Sequence, residues 1–191
     1  MNVAVYCASS TKIDAKYYRL ASEVGRLLGE KHHAVVNGAG NMGLMAATAN
    51  ACMEAGGEAI GVIPQFMIDE GWHHTGMTRL EVTETMAARK QLMADLSEGA
   101  IVLPGGVGTI DERSELLCRN QLGLYCHPIV VVNLDGYYDP LLEQLRRTID
   151  ESFMNPWYAT IWTVATSAEE AVEIVETEGS QDYSDRRKCK F

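Results

Sequence analysis

The segment Pro104-Gly105-Gly106-Val107-Gly108-Thr109-Ile110-Asp111-Glu112 carries the sharpest chemistry in the chain. Gly105, Gly106 and Gly108 free the backbone to turn so that successive N–H groups converge, which is how a loop holds an anion. A helix expected to begin near Thr109 adds the positive end of its dipole and its unsatisfied amides, and the Thr109 hydroxyl adds one more hydrogen bond. The loop reads as a phosphate seat without a lysine. It lacks the GKT or GKS ending of a triphosphate loop, so nucleoside triphosphate hydrolysis is not its chemistry. Asp111 and Glu112 follow at once. An acid in a first helical turn ordinarily serves the dipole, for roughly 0.3–1 kcal/mol. Beside a phosphate, however, a carboxylate is wasteful unless it works elsewhere in the same pocket.

A cationic partner stands upstream. Met86, Arg89, Lys90 and Met93 fall at spacings of three and four and share one broad helical face. On spacing alone the two cations serve equally well as solvated charges and the methionines as core. An arginine here can fix oxygens and position an acid, but its pKa is too high for it to act as a base. A second glycine-rich loop, Gly38-Ala39-Gly40-Asn41-Met42-Gly43, has the GxGxxG spacing of a dinucleotide fingerprint. It follows the second expected strand rather than the first, and the next strand closes Ile63-Pro64-Gln65 with no acid placed to hold a ribose. A tight turn that admits a ligand or a helix closely is the better account of these glycines.

The elements that must position these residues alternate from end to end. Apolar strands are expected at 2–7, 34–36, 59–63, 80–82, 100–103, 129–132 and 161–164. Amphipathic helices are expected at 14–31, 43–55, 85–96, 109–122, 138–153 and 167–178, the last capped by Ser167. Residues 65–78 form the one long irregular stretch, with Trp72 and the adjacent His73 and His74, which are expected in solvent. The alternation predicts an α/β fold: a doubly wound, mostly parallel, Rossmann-like sheet with helices on both faces. Ligands then sit at the carboxyl ends of the strands. Residues 1–180 are expected to form a single Rossmann-like nucleotide-binding domain, and the basic 181–191 a flexible tail.

Composition narrows the partners. The 191 residues hold 26 Asp and Glu against 16 Lys and Arg, a net charge of −10, with 47% hydrophobic and 22% charged residues. That profile is globular, and its acidity argues against coating nucleic acid or an anionic membrane. No run of about 18 apolar residues appears. The five cysteines are scattered without CxxC or zinc spacing, so reduced thiols and no metal are expected. Residues 1–6 are too short for a signal sequence, and a cytoplasmic location is expected.

Together these segments resemble the LONELY GUY family of cytokinin riboside 5′-monophosphate phosphoribohydrolases, long labelled lysine decarboxylases. Pro104 to Glu112 matches the family's PGGxGTxxE signature. Cys7-Ala8-Ser9-Ser10 is similar to its C-G-S-S turn, with alanine for glycine, and Gly38-Ala39-Gly40-Asn41-Met42-Gly43-Leu44-Met45 to its GGGxxGLM loop. Met86-Ala87-Ala88-Arg89-Lys90 resembles MHxRK, and Gln121-Leu122-Gly123 with Asn133-Leu134-Asp135-Gly136-Tyr137-Tyr138 matches the downstream pattern. The likeness spans nearly the whole chain. It implies a homodimer that hydrolyses the N-glycosidic bond of adenine-type nucleoside 5′-monophosphates to free base and ribose 5-phosphate, with no cofactor. Arg89 and Glu112 would be the catalytic pair, and Gly105, Gly106, Val107, Gly108 and Thr109 would take the phosphate. Met86 would lie near the base, and Ser9, Gly40, Lys90 and Asp111 are further candidate substrate contacts.

Two departures bear on specificity. Ala87 replaces the family's usual histidine, and Cys118-Arg119-Asn120 stands where many members have Thr-Trp-x. Both positions are expected on the base or ribose side, which turns the preference toward AMP or another purine monophosphate. A non-catalytic carrier of the same fold, holding a nucleotide or pterin-type cofactor, would need the same seat. Arg89 with Glu112 favours the enzyme, because passive anion binding gains nothing from an added carboxylate. Lysine decarboxylation would need pyridoxal phosphate on a lysine with an acid for its ring nitrogen, and nothing around Lys90 marks such a pocket.

Overall fold

Runs such as Val3-Ala4-Val5, Ile60-Gly61-Val62-Ile63 and Ile129-Val130-Val131-Val132 are apolar at every position, so each must be covered on both sides. The structure, a computed structural model that describes residues 1–179, covers them as parallel strands. In chain order the elements are β1 (Asn2–Tyr6), α1 (Ala15–Glu30), β2 (Ala34–Asn37), α2 (Gly43–Glu54), β3 (Glu58–Pro64), α3 (Gln65–Asp69) and β4 (Arg79–Thr83). They continue as α4 (Met86–Leu96), β5 (Gly99–Val102), α5 (Val107–Gln121), β6 (Ile129–Val132), α6 (Asp139–Asp150), β7 (Thr163–Ala165) and α7 (Ala168–Gly179). The flexible tail expected at 181–191 lies outside the described residues.

All seven strands pair in parallel in the order β4-β3-β2-β1-β5-β6-β7. On one face Val3, Val5, Val35 and Ile101 meet Val24 and Leu28 of α1, Leu44 and Cys52 of α2, and Val172 of α7. On the other face Ala4, Tyr6, Val36 and Val62 meet Met93 of α4, Leu116 of α5 and Leu145 of α6. The chain builds outward from β1 to β4, then α4 carries it back to β5 on the opposite flank of β1. That reversal opens a crevice at the carboxyl ends of β1 and β5, where ligands bind in such folds.

Ser167 caps α7 as expected, and Asp14 and Thr85 cap α1 and α4. Asp14 accepts from Lys16 N, Thr85 from Ala88 N at 3.1 Å, and Ser167 Oγ from Glu170 N at 3.2 Å. Three regions depart from expectation by more than one residue. Residues 65–78 are not wholly irregular, because α3 makes a single turn straight after Pro64, too short for periodicity to betray it. α5 begins two residues early, so Val107 and Gly108 are helical. α6 ends at Asp150, where the chain passes through Ser152 in the left-handed region at φ 64°, and β7 begins only after a 3-10 turn at Pro156–Thr160.

α1 and α2 touch backbone to backbone. A Cβ on Gly25 would lie 2.2 Å from the Thr48 carbonyl oxygen, and one on Gly29 would lie 2.4 Å from that of Cys52. Helix propensity alone favours alanine at Gly25 by about 1 kcal/mol. Overpacking costs about 1–3 kcal/mol, and a backbone carbonyl cannot swing aside. At 2.2 Å from a fixed carbonyl the cost falls at the upper end of that range, about 2–3 kcal/mol, so Gly25→Ala is expected to lower stability by about 1–2 kcal/mol net, read as a lower urea midpoint at unchanged slope. Equal or greater stability would mean the helices do not approach so closely.

Candidate active site

The site is assembled at the crevice from one helix on each side of β5. Gly106 is the residue before the first turn of α5, and the first backbone bond of that turn runs from Ile110 N to Gly106 O at 3.0 Å. The amides of Val107, Gly108 and Thr109 therefore have no acceptor within the helix. Val107 is 84% exposed. None of Gly105, Gly106 and Gly108 is among the described glycines with positive φ, so they do not turn the backbone into a left-handed nest. Their service is space. A Cβ on Gly105 would meet Thr109 Oγ1 at 2.2 Å, while Gly106 and Gly108 have nothing within 4 Å and leave the amides uncovered.

Two tyrosines hold this loop from behind. Tyr137 donates its hydroxyl to Gly105 O at 2.8 Å, and Tyr138 donates to Leu103 O at 2.7 Å. Both come from a turn with Asp135 and Gly136 in the left-handed region, closed by Tyr138 N donating to Asn133 Oδ1 at 2.7 Å. The downstream segment singled out in the sequence thus shapes the loop rather than the pocket.

Arg89 rises from α4 and is 5% exposed. Its Nε–H donates to Val62 O at 3.0 Å and Nη1 donates to Glu112 Oε1 at 2.8 Å. Nη2 fills the place of a missing side chain: a Cβ on Gly38 would lie 1.6 Å from it. The first glycine of the GxGxxG loop therefore makes room for a guanidinium, not for a dinucleotide. Glu112 has its side chain 11% exposed. Burial pushes its carboxyl above the usual carboxylate range, against the opposing pull of Arg89.

Lys90 and Asp111 are brought together beside that pair. Lys90 Nζ donates to Glu115 Oε2 at 2.6 Å and Asp111 Oδ2 at 2.9 Å, and these acids raise the pKa of its ammonium. Two adjacent ties thus join α4 to α5. Met86 opens α4 and is half-exposed. Ser9 lies in the turn after β1, packed against the start of α2. A Cβ on Gly43, at φ 65°, would lie 2.5 Å from the Ser9 carbonyl carbon, and Leu44 N donates to Ala8 O at 2.9 Å. Ala39 is fully buried at φ 54°, with its N–H on Asn37 Oδ1 at 2.9 Å.

The 65–78 excursion returns to this edge. Gly40 forms an antiparallel bridge with His73, His74 N donates to Ala39 O at 2.8 Å, and Asn41 N donates to Trp72 O at 3.0 Å. Both histidines are half-buried, contrary to expectation, because the backbone of residues 72–74 pairs with the glycine loop. Of the departing residues 118–120, Cys118 is exposed and Asn120 is buried under α5. Arg119 reaches α4, binding Gln91 and Asp95. It meets Glu112 only across a cavity of about 10 Å³ shared with Tyr6, Lys90 and Glu115, the space of about one water. Tyr6 and the Val62 carbonyl were invisible beforehand: a strand residue and a backbone oxygen carry no motif. A groove of about 960 Å³ lies elsewhere, across α1, and mixes Lys16, Arg19 and Arg26 with Glu23, Glu30 and Glu54 without convergence.

Among the described residues no helix is long and apolar enough to cross a membrane, and no group of three metal-ligating side chains gathers. The family model described as possible lysine decarboxylase matches residues 45–175. A cytokinin riboside 5′-monophosphate phosphoribohydrolase of Rhodococcoides fascians is 40% identical over 157 residues, 81% of this chain and 79% of that protein. The protein of that name from Mycobacterium tuberculosis is 39% identical over 154 residues, 81% and 82% of the two chains. One from Arabidopsis thaliana is 36% identical over 176 residues, 91% and 76%. The molybdenum cofactor carrier protein of Chlamydomonas reinhardtii shares the fold, with TM-score 0.72 over 94% of this chain and 98% of that one at 19% identity. With its signature residues gathered at one crevice and relatives alike over most of both chains, this chain belongs to the LONELY GUY family.

Proposed function

We propose that the protein hydrolyses the N-glycosidic bond of purine nucleoside 5′-monophosphates, adenine and cytokinin-type bases included, to free base and ribose 5-phosphate. The observation that carries this reading is the buried Arg89–Glu112 pair, one helical turn from the open amides of α5. Phosphate on the amides of Val107, Gly108 and Thr109 would anchor the substrate far from the bond that breaks. Binding energy from that remote group then serves to orient the reacting centre. Thr109 and Glu112 are three residues apart, about 4.5 Å along the helix axis, so seat and acid share one rigid body.

Cleavage of the C1′–N bond builds positive charge on the ribose, an oxocarbenium-like state. Glu112 faces that charge and orients and deprotonates the attacking water. Arg89 holds Glu112 in place and fixes substrate oxygens. Ser9, Gly40 and Met86 flank the ribose and base, with Lys90 and Asp111 bracing the pair. The protein acts as a homodimer in the cytoplasm; half-exposed Met86 and exposed Val107 at the rim are surfaces a second subunit would cover, and light scattering on the purified chain reports the assembly.

Purified protein incubated with AMP is expected to release adenine, followed by chromatography, and to process adenosine far less well. Bound AMP without release would support a carrier instead. Glu112→Gln should keep AMP binding and lose about 10²–10⁴-fold in kcat; a wild-type rate would remove Glu112 from the chemistry. The base must be ionised, and burial raises its pKa. The acid limb of kcat/KM is therefore expected above the ordinary glutamate value of about 4.3, with activity rising with pH through it. A limb at or below that value would contradict the buried, burial-shifted carboxyl.

A further inference from the structure

The stripe of α5 that faces the sheet reads Thr109, Arg113, Leu116, Leu117 and Asn120. Its second member is a cation, and it is only 2% exposed. The Nε and Nη1 of Arg113 are buried without an acceptor among the described residues. No carboxylate pairs with it there; burial lowers its pKa, and Tyr138 is the one group that opposes this. The contrast with Arg89 is instructive, since that buried guanidinium has both a carbonyl and a carboxylate. Buried charges are ordinarily paired, because an unpaired one is expensive to take out of water. Arg113 is therefore missing an anion.

Its position says where the anion belongs. Helical side chains lean toward the helix N-terminus, so residue 113 leans over the turn that contains Thr109. Its neighbour Tyr138 reaches Leu103 O, and Tyr137 reaches Gly105 O. Arg113 thus stands one turn behind Thr109, and Tyr138, the group that opposes the loss of its charge, is bonded to Leu103 at the entry to the loop. No lysine or arginine stands within the 104–112 loop itself.

We propose that Arg113 is the charge partner of a phosphate monoester dianion seated on the amides of Val107, Gly108 and Thr109. The proposal rests on the reading of that turn as the phosphate site. The ligand class is a phosphomonoester, whose charge of about −1.5 to −2 at neutral pH matches a buried cation plus a helix dipole. The Nε–H and Nη1–H of Arg113 donate to one phosphate oxygen, and the amides hold the others. Because the charge is buried, salt screens it far less than it would a surface lysine.

The test reads phosphate binding without turnover. Thermal unfolding and calorimetry of the full chain with inorganic phosphate compare wild type with Arg113→Met and Arg113→Lys. Wild type should be stabilised by phosphate, and Arg113→Met should bind it about ten- to a hundredfold more weakly, the value of one lost charge-assisted interaction. Without phosphate, Arg113→Met should be as stable as wild type or more so, since the unpaired charge is gone. Arg113→Lys should recover most of the binding. Should the methionine variant not fold, Arg113→Gln, polar but uncharged, takes its place and must show the same loss. Phosphate affinity unchanged in Arg113→Met or Arg113→Gln overturns the proposal, as does a lysine variant no better than the uncharged ones. Phosphate binding that depends on Arg113, with no release of base from any purine monophosphate, supports this inference and defeats the hydrolase reading. Hydrolysis with binding indifferent to residue 113 does the reverse.

Discussion

A guanidinium removed from water must be met on every side, and the crevice is organised around meeting that of Arg89. Its three nitrogens find a strand carbonyl at Val62, a carboxylate at Glu112 and an empty place at Gly38. Each comes from a different part of the chain, so the requirement ties β3, α5 and the loop after β2 to a single point. A buried ion pair is weak evidence of stability, because desolvation offsets most of the attraction. What it does supply is register: α4 and α5 cannot slide past each other without stranding a charge. Lys90 with Asp111 and Glu115 repeats the tie one residue along.

Anion binding by a chain of net charge −10 looks paradoxical only while charge is counted over whole side chains. The donors at the start of α5 are backbone amides, and the helix dipole behind them has no formal charge. Acids dominate the surface, where water and salt screen them, whereas free amides at a helix start act locally. Among the acids of the described residues, Glu112 stands apart as one kept largely out of water beside a buried cation.

Much of the fold was legible because β-rich runs buried on both faces leave no ambiguity about their kind. Strand order was not: nothing local in α4 says that it crosses β1 to reach β5, a choice made by packing over the whole sheet. At the site, Arg89 and Glu112 could be matched to the family's motif, but the part Gly38 plays in housing Arg89 could not, since a side chain filling another residue's vacancy exists only in three dimensions. The glycines of the 104–112 loop were expected to supply unusual dihedrals and supply clearance instead. Arg113 was readable in principle from the 109, 113, 116, 117 spacing, yet a charge at such a position is ordinarily assigned to the solvent face. Single-turn α3 has no periodicity to read.

Ala39 carries a further consequence. A non-glycine residue in the left-handed region stores about 1 kcal/mol of strain, and here a buried alanine does so between two glycines. Its amide is held by Asn37 and its carbonyl by His74 from the returning excursion. In mechanical terms the loop is prestressed: the chain around residues 72–74 acts as a tensioned brace that keeps it from relaxing. The arginine's vacancy at Gly38 is one residue away, so the tension of that brace bears on the point where the guanidinium is housed, from residues outside the Arg89–Glu112 pair.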